Sequence, residues 1–98
     1  MSATIGFARV TLQFEDTFSL KDKRSEVKSV TQKLRNQFNA AIAEIEDLDD
    51  MRVATLGITV LSTSSGHANR MLSTIISRLE ELLDTSVLGD LSTEMIAI

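Results

Sequence analysis

An uninterrupted apolar stripe at helical spacing is the feature of this sequence that most limits its possible folds. In the segment from Ser62 to Asp84, apolar side chains recur every three or four positions, which predicts an amphipathic helix. The residues on this stripe are Ala68, Met71, Leu72, Ile75, Ile76, Leu79, Leu82 and Leu83. Such a helix must bury its stripe against another apolar layer, and the apolar face of a sheet meets that requirement.

Two segments, Ile5–Glu15 and Met51–Ser62, alternate apolar and polar residues with the period of a β-strand. The side chains expected to point inward are Ala8, Val10, Leu12 and Phe14 in the first segment and Ala54, Leu56, Ile58 and Val60 in the second. A shorter apolar segment at Ala40–Glu46 and the segment Val87–Ile98 predict two more strands. We expect the last strand to bend or bulge at Gly89.

Another helix is predicted earlier in the chain, after a connector at Asp16–Phe18, and it is the first of the two in chain order. Ser19 and Asp22 have the spacing of a capping box, which marks the start of this helix. We expect it to end near Phe38 and Asn39. Its apolar side is formed by Val27, Val30, Leu34 and Phe38.

These elements follow one another in the order β-α-β-β-α-β, with Asp47–Asp50 as the turn of a central β-hairpin. Two right-handed crossovers then place both helices on one face of a four-stranded antiparallel sheet. We therefore predict one α+β domain of ferredoxin-like architecture over residues 1–98. The sequence contains no cysteine and no apolar run long enough for a membrane span, so we expect a cytoplasmic protein without a membrane segment.

The first predicted helix concentrates positive charge in an acidic protein. The chain has a formal net charge of −4, yet residues 21–35 hold six of its ten basic residues. Four of them lie within about 60° of one another on the helix: Lys21, Arg24, Lys28 and Arg35. This stripe is about 21 Å long, which suits a phosphate backbone, and it predicts binding of RNA or a ribosomal particle with little sequence specificity. The alternative is a solvated helix face that balances the acidic remainder of the chain.

The sheet face turned away from the helices should present residues of the two central strands. These are Phe7, Arg9 and Thr11 from the first strand and Thr55, Gly57 and Thr59 from the third. An RNA-recognition motif would carry several stacking aromatics on this face, whereas Phe7 stands alone. We therefore expect the face to be the subunit interface of a homodimer. The alternative to RNA binding is therefore a homodimeric protein-interaction module, in which the basic helix binds an acidic protein partner.

No set of residues defines a catalytic reaction or a metal site. His67 is the only histidine, and we interpret it as an exposed or capping residue because a catalytic histidine needs a partner group. Five acidic residues surround the hairpin turn: Glu44, Glu46, Asp47, Asp49 and Asp50. A calcium loop would need another oxygen ligand where Met51 stands and a glycine where Arg52 stands. We expect a non-enzymatic protein without metal, cofactor or small-molecule substrate.

Several short motifs resemble one known family. They are SLKDKR at 19–24, LRNQFN at 34–39, Ala43-Glu44 and ATLG at 54–57. With these motifs the chain resembles the YlxP-like bacterial family of unknown function over nearly its whole length. The resemblance implies a ferredoxin-like fold and a cytoplasmic bacterial protein. It also implies a ribosome-linked role, because the family's genes often neighbour those for translation initiation and ribosome maturation.

Overall fold

The computed structural model has the order of helices and strands that the sequence predicts. It describes residues 2–15 and 19–98, and the predicted connector Asp16–Phe18 lies outside the described residues. The elements are β1 (Thr4–Phe14), α1 (Leu20–Gln37), β2 (Ala41–Glu46), β3 (Val53–Ser62), α2 (Ser65–Leu82) and β4 (Ser86–Ala97). Neighbouring strands pair antiparallel in the order β2-β3-β1-β4. The predicted ferredoxin-like α+β architecture is therefore confirmed.

The core lies between the two helices and one face of the sheet. All the side chains of β1 and β3 that the alternation predicts to point inward are buried. The helices contribute the following buried apolar residues: Val27, Val30 and Leu34 from α1, and Ala68, Leu72, Ile75 and Leu79 from α2. The rest of the predicted α2 stripe is only partly buried. The centre of that stripe therefore packs more tightly than its margins.

Both helices begin at hydroxyl caps. The Ser19 hydroxyl accepts the N–H of Asp22 at 3.1 Å, and the Asp22 carboxylate accepts the N–H of Ser19 at 3.3 Å, which confirms the predicted capping box. The Ser64 hydroxyl accepts the N–H of His67 at 3.2 Å and caps α2. Neither helix of the described residues is long and apolar enough to cross a membrane.

The turn between β2 and β3 is longer than predicted, so β3 begins at Val53 rather than at Met51. The N–H of Asp50 donates to the carbonyl oxygen of Asp47 at 3.1 Å. The Asp50 carboxylate in turn accepts the N–H of Arg52 at 2.8 Å. These bonds keep two more residues in the turn and out of the strand.

Two β-bulges shape the edges of the sheet. In β4 the register against β1 shifts around Gly89 and Asp90, as predicted. A side chain at Gly89 would collide with the Thr11 hydroxyl, which accepts the N–H of Asp90 at 2.7 Å. The second bulge, in β2, was not predicted; it shifts the register between Glu44 and Glu46.

We predict that Leu72→Ala lowers the free energy of unfolding by about 2–5 kcal/mol, because Leu72 is fully buried and its truncation leaves a cavity. Ile76→Ala should have a smaller effect, since Ile76 is only partly buried. Urea denaturation measures both changes. The control is Ser73→Ala on the exposed face, which should stay within about 0.5 kcal/mol of the original protein. Equal losses at Leu72 and Ser73 would mean that α2 faces the other way.

Candidate functional site

The four predicted anion-binding cations are all exposed along α1, but two of them contact the β2–β3 hairpin. Arg24 Nη2 lies 3.4 Å from Asp49 Oδ1. Arg35 Nη2 donates a hydrogen bond to the backbone oxygen of Ile42. The Asp49 carboxylate offsets the charge of Arg24, whereas a carbonyl leaves the charge of Arg35 in place.

The other two cations of the stripe are Lys21 and Lys28. Within the part of the chain that the structure describes, no carboxylate lies within salt-bridge distance of either ammonium group. They are seven positions apart, which corresponds to about 10 Å along the helix axis. Lys21 and Lys28 are therefore the stripe residues whose charge and donors are both available to a partner.

A fifth cation of α1, Lys23, is fully buried beneath the hairpin. Its ammonium donates to the backbone oxygens of Asp47 at 2.7 Å and Val53 at 2.9 Å. A longer contact of 3.4 Å joins it to the backbone oxygen of Leu48. Glu44 Oε2 lies 3.0 Å from the same nitrogen. An ammonium has three N–H donors; the three carbonyls account for them, and Glu44 Oε2 accepts no hydrogen bond from the described residues.

Sequence reasoning missed Lys23, although the helical spacing contains the signal. Lys23 stands four residues before Val27 and seven before Val30, so it lies on the buried face of α1. Glu44 stands two residues after the buried Ile42, at the next inward position of β2. A cation and an anion at inward positions of adjacent elements together predict a buried ion pair.

Asp47 orients the hairpin turn toward Lys23. Its backbone is left-handed, with φ of 62°, a conformation that aspartate adopts more readily than bulky residues. The Thr55 hydroxyl donates to Asp47 Oδ2 at 2.7 Å. The side chain of Asp47 is thus held from β3 while its carbonyl oxygen accepts from Lys23.

The acidic residues around the hairpin turn all have partners within the protein. Besides Glu44 and Asp47, the contacts are Glu46 with Arg9, Asp49 with Arg24, and Asp50 with the N–H of Arg52. No group of three potential metal-ligating side chains occurs among residues 2–15 and 19–98. The cluster that the sequence offers as a calcium hypothesis stabilises the turn and binds the cations beside it.

Two of the six predicted interface residues bind inside the domain. The Thr11 hydroxyl accepts the N–H of Asp90 in the β4 bulge. Thr55 is buried and donates to Asp47. Thr55 is buried and its single O–H donor is used, whereas the bond from Asp90 leaves the O–H donor of Thr11 unused.

The other four predicted interface residues lie on the sheet face opposite the helices. Arg9 is exposed and pairs with Glu46. Phe7 and Thr59 are half-buried and oppose each other across β1 and β3. Gly57 is buried beneath a neighbouring side chain: a Cβ atom added there would lie 3.1 Å from Ile45 Cδ1.

This face is more apolar than the sequence analysis expected. Ile5 pairs with Leu61 on one side and with Ile96 on the other, so three apolar residues form a row across β3, β1 and β4. Leu61 is 65% exposed and Ile96 is 41% exposed. Ile5 and Leu61 stand two positions along their strands from Phe7 and Thr59, so the period of a β-strand places them on the same face. This alternation is the sequence signal that could have predicted the apolar row.

His67 contacts Ser62 but has no further catalytic partner among the described side chains. Ser62 Oγ and His67 Nδ1 are 2.7 Å apart. The ring borders an open cleft of about 340 Å³ together with Phe38 and Arg70. A nucleophile and base usually need a third group that orients the base. His67 is exposed in the first turn of α2, and the cap of this helix is Ser64. Of the two interpretations, an exposed or a capping residue, the structure shows the exposed one.

Glu26 joins α1 to the start of β4. Its carboxylate accepts the backbone N–H of Thr85 at 3.0 Å and of Ser86 at 3.1 Å, and it also accepts both hydroxyls. Burial raises the pKa of Glu26, but the hydrogen bonds from Ser86 and Thr85 together outweigh it and hold that pKa below its ordinary value. The sequence contains no local signal for a contact between residues so far apart.

Known proteins resemble this chain in sequence and in fold. The family described as "Protein of unknown function (DUF503)" matches residues 5–89. The "Uncharacterized protein YlxP" of Bacillus subtilis (strain 168) is 30% identical over 76 residues, which are 78% of this chain and 83% of that protein. The solved structure of "De novo designed protein Foldit4" superposes with a TM-score of 0.55 at 11% identity, covering 96% of each chain. The last likeness concerns the fold alone.

We predict that Lys23→Met lowers the free energy of unfolding by about 3–5 kcal/mol, because it leaves the Glu44 carboxylate without its counter-charge. The double variant Lys23→Met/Glu44→Leu should be more stable than Lys23→Met alone. Urea denaturation at pH 7 measures this coupling. Lys33→Met, at an exposed position of the same helix, is the matched control and should change stability by less than about 0.5 kcal/mol. Strictly additive effects at Lys23 and Glu44 would contradict the buried pair.

The free energy of unfolding should depend on pH through the Glu26 carboxylate. Because the pKa of Glu26 is lower in the folded than in the unfolded protein, its stabilisation is complete above the unfolded pKa of about 4.3 and is lost as the pH falls through the folded pKa. Glu26→Gln should therefore cost about 1 kcal/mol at pH 7, a value reduced for solvent screening. The difference from the original protein should shrink below pH 4 in urea denaturation. The control is Glu80→Gln on the exposed face of α2, which should change stability by less than about 0.5 kcal/mol at pH 7. A difference for Glu26→Gln that stays constant with pH would contradict the charged carboxylate.

Proposed function

The chain belongs to the DUF503 family of proteins of unknown function, and we propose that it is a non-enzymatic accessory protein that binds RNA or a ribosomal particle. The contact surface would be the exposed side of α1. The observation that carries the proposal is the pair Lys21 and Lys28, two cations without a described counter-ion in a protein whose hairpin acids are all engaged. A ribosomal partner would place the protein in the cytoplasm.

The neighbouring arginines add to this surface unequally. Arg35 keeps its full charge because its partner is a carbonyl group. Arg24 is exposed, and so is Asp49, and such a pair contributes little stability and is readily exchanged. A phosphate could therefore replace Asp49 as the partner of Arg24. We expect two or three phosphate contacts in place of the four that the stripe suggests.

An acidic protein is the second candidate partner, because carboxylates would meet Lys21 and Lys28 as well as phosphates would. The contact between Arg24 and Asp49 favours this candidate, since it shows a carboxylate already bound on this side of α1. A competition experiment separates the two candidates. If RNA displaces an acidic protein from α1, phosphate binding is the role of this surface.

The proposal is tested by sedimentation of the protein with ribosomal subunits over a salt series. With two or three phosphate contacts, log affinity should fall with log salt with a slope of about −2 to −3. The double variant Lys21→Glu/Lys28→Glu should lose at least about tenfold in affinity. Arg24 is left unchanged in this test because its substitution would also remove the contact to Asp49.

The matched comparison is Lys28→Glu against Lys33→Glu. Both substitutions change the charge of α1 by the same amount, but Lys33 borders the cavity between α1 and the segment after α2, together with Glu26 and Asp84. Lys33→Glu should therefore weaken binding less than Lys28→Glu. Equal losses for the two variants, or unchanged sedimentation of the double variant, would overturn the proposal.

A further inference from the structure

The sheet face without helices carries an apolar surface that continues beyond its first row. Next to the row of Ile5, Leu61 and Ile96, the side chain of Phe7 lies on the same face. A Cβ atom added at Gly57 would lie 3.3 Å from Phe7 Cε1 and 3.1 Å from Ile45 Cδ1, so these two side chains approach each other above the glycine. The apolar surface therefore reaches from β4 to the edge strand β2.

This face is large enough for a dimer interface. Strands about 4.8 Å apart and residues about 3.4 Å apart give a four-stranded face of about 19 by 27 Å, or about 500 Å² per copy. Two copies together would bury about 1,000 Å², the lower limit for a specific protein interface. We therefore expect a weak dimer.

The charges beside the apolar surface are self-complementary. Arg9 makes an ion pair with Glu46 through Nη1 and has further N–H donors available. Glu94 lies opposite Phe7 on β4 and has no cation of the described residues within salt-bridge distance. In a dimer with a two-fold axis, Arg9 of one copy would meet Glu94 of the other, and this contact would occur twice.

From the apolar row, the area and these charges, we propose that a second copy of this chain docks on the bare sheet face. The two sheets pack face to face, about 10 Å apart, and the helices lie on the outside of the dimer. Leu61, Ile5 and Ile96 lose their exposure to water in this arrangement. The inference is independent of any anionic partner of α1, because the stripe of Lys21 and Lys28 stays accessible on the outer side.

The test is the molar mass of the full chain in solution. Sedimentation equilibrium from about 10 to 500 µM, chosen for a weak interface, should show the mass rising from that of the 10.8 kDa protomer toward twice this value. Leu61→Lys places a charge in the apolar row and should weaken the dimer at least tenfold. The matched control is Leu48→Lys in the hairpin turn, since Leu48 is also exposed, at 50%, but lies outside the face. Leu48→Lys should dimerise like the original protein.

A charge exchange tests the orientation of the two copies. Glu94→Arg places two cations in contact across the axis and should weaken the dimer, and the addition of Arg9→Glu should restore it at least in part. Both positions are exposed, so circular dichroism melting curves should show an intact fold. A protomer that stays at 10.8 kDa up to 500 µM would overturn the proposal. So would a dimer that Leu61→Lys leaves unchanged, because the copies would then associate through another surface such as the β4 edge.

Discussion

The buried ammonium of Lys23 is the interaction on which the geometry of the hairpin depends. It is fully buried and contacts the backbone oxygens of Asp47, Leu48 and Val53 together with the carboxylate of Glu44. A buried charge is tolerated only with such partners. The start of α1, the β2–β3 turn and the inward face of β2 are therefore held as one unit by a single side chain.

This arrangement also determines how much of the positive charge on α1 faces outward. Lys23 is removed from the surface, and the turn that it holds brings Asp49 against Arg24. Of the five carboxylates around the turn, Glu44, Glu46 and Asp49 act as counter-ions, and Asp47 and Asp50 accept hydrogen bonds within the hairpin. What remains for a partner is a short cationic surface around Lys21 and Lys28, which is compatible with phosphate binding of modest strength and low sequence specificity.

The two faces of the sheet have opposite roles because the helices cover only one of them. The covered face holds fully buried residues such as Val10 and Leu56. Within residues 2–15 and 19–98, the bare face carries Arg9, Glu46 and Glu94 beside its apolar end. Apolar surface left in contact with water favours association, and the basic side of α1 lies away from it. One small domain therefore offers two separate surfaces, one suited to an anionic partner and one to a second copy.

The sequence by itself determined the elements and their order, because a strand or helix reveals its buried face through a local period that Val10, Leu12 or Leu72 follows regardless of distant residues. It contained the signals for Lys23 and for the apolar row as well, since both follow from the same periods. Only the tertiary structure decided which charges meet. The contact of Lys23 with Val53 spans 30 positions and that of Glu26 with Ser86 spans 60. Local periodicity places a residue on an inward or outward face, but which carbonyl or hydroxyl on another element it contacts depends on how whole elements pack.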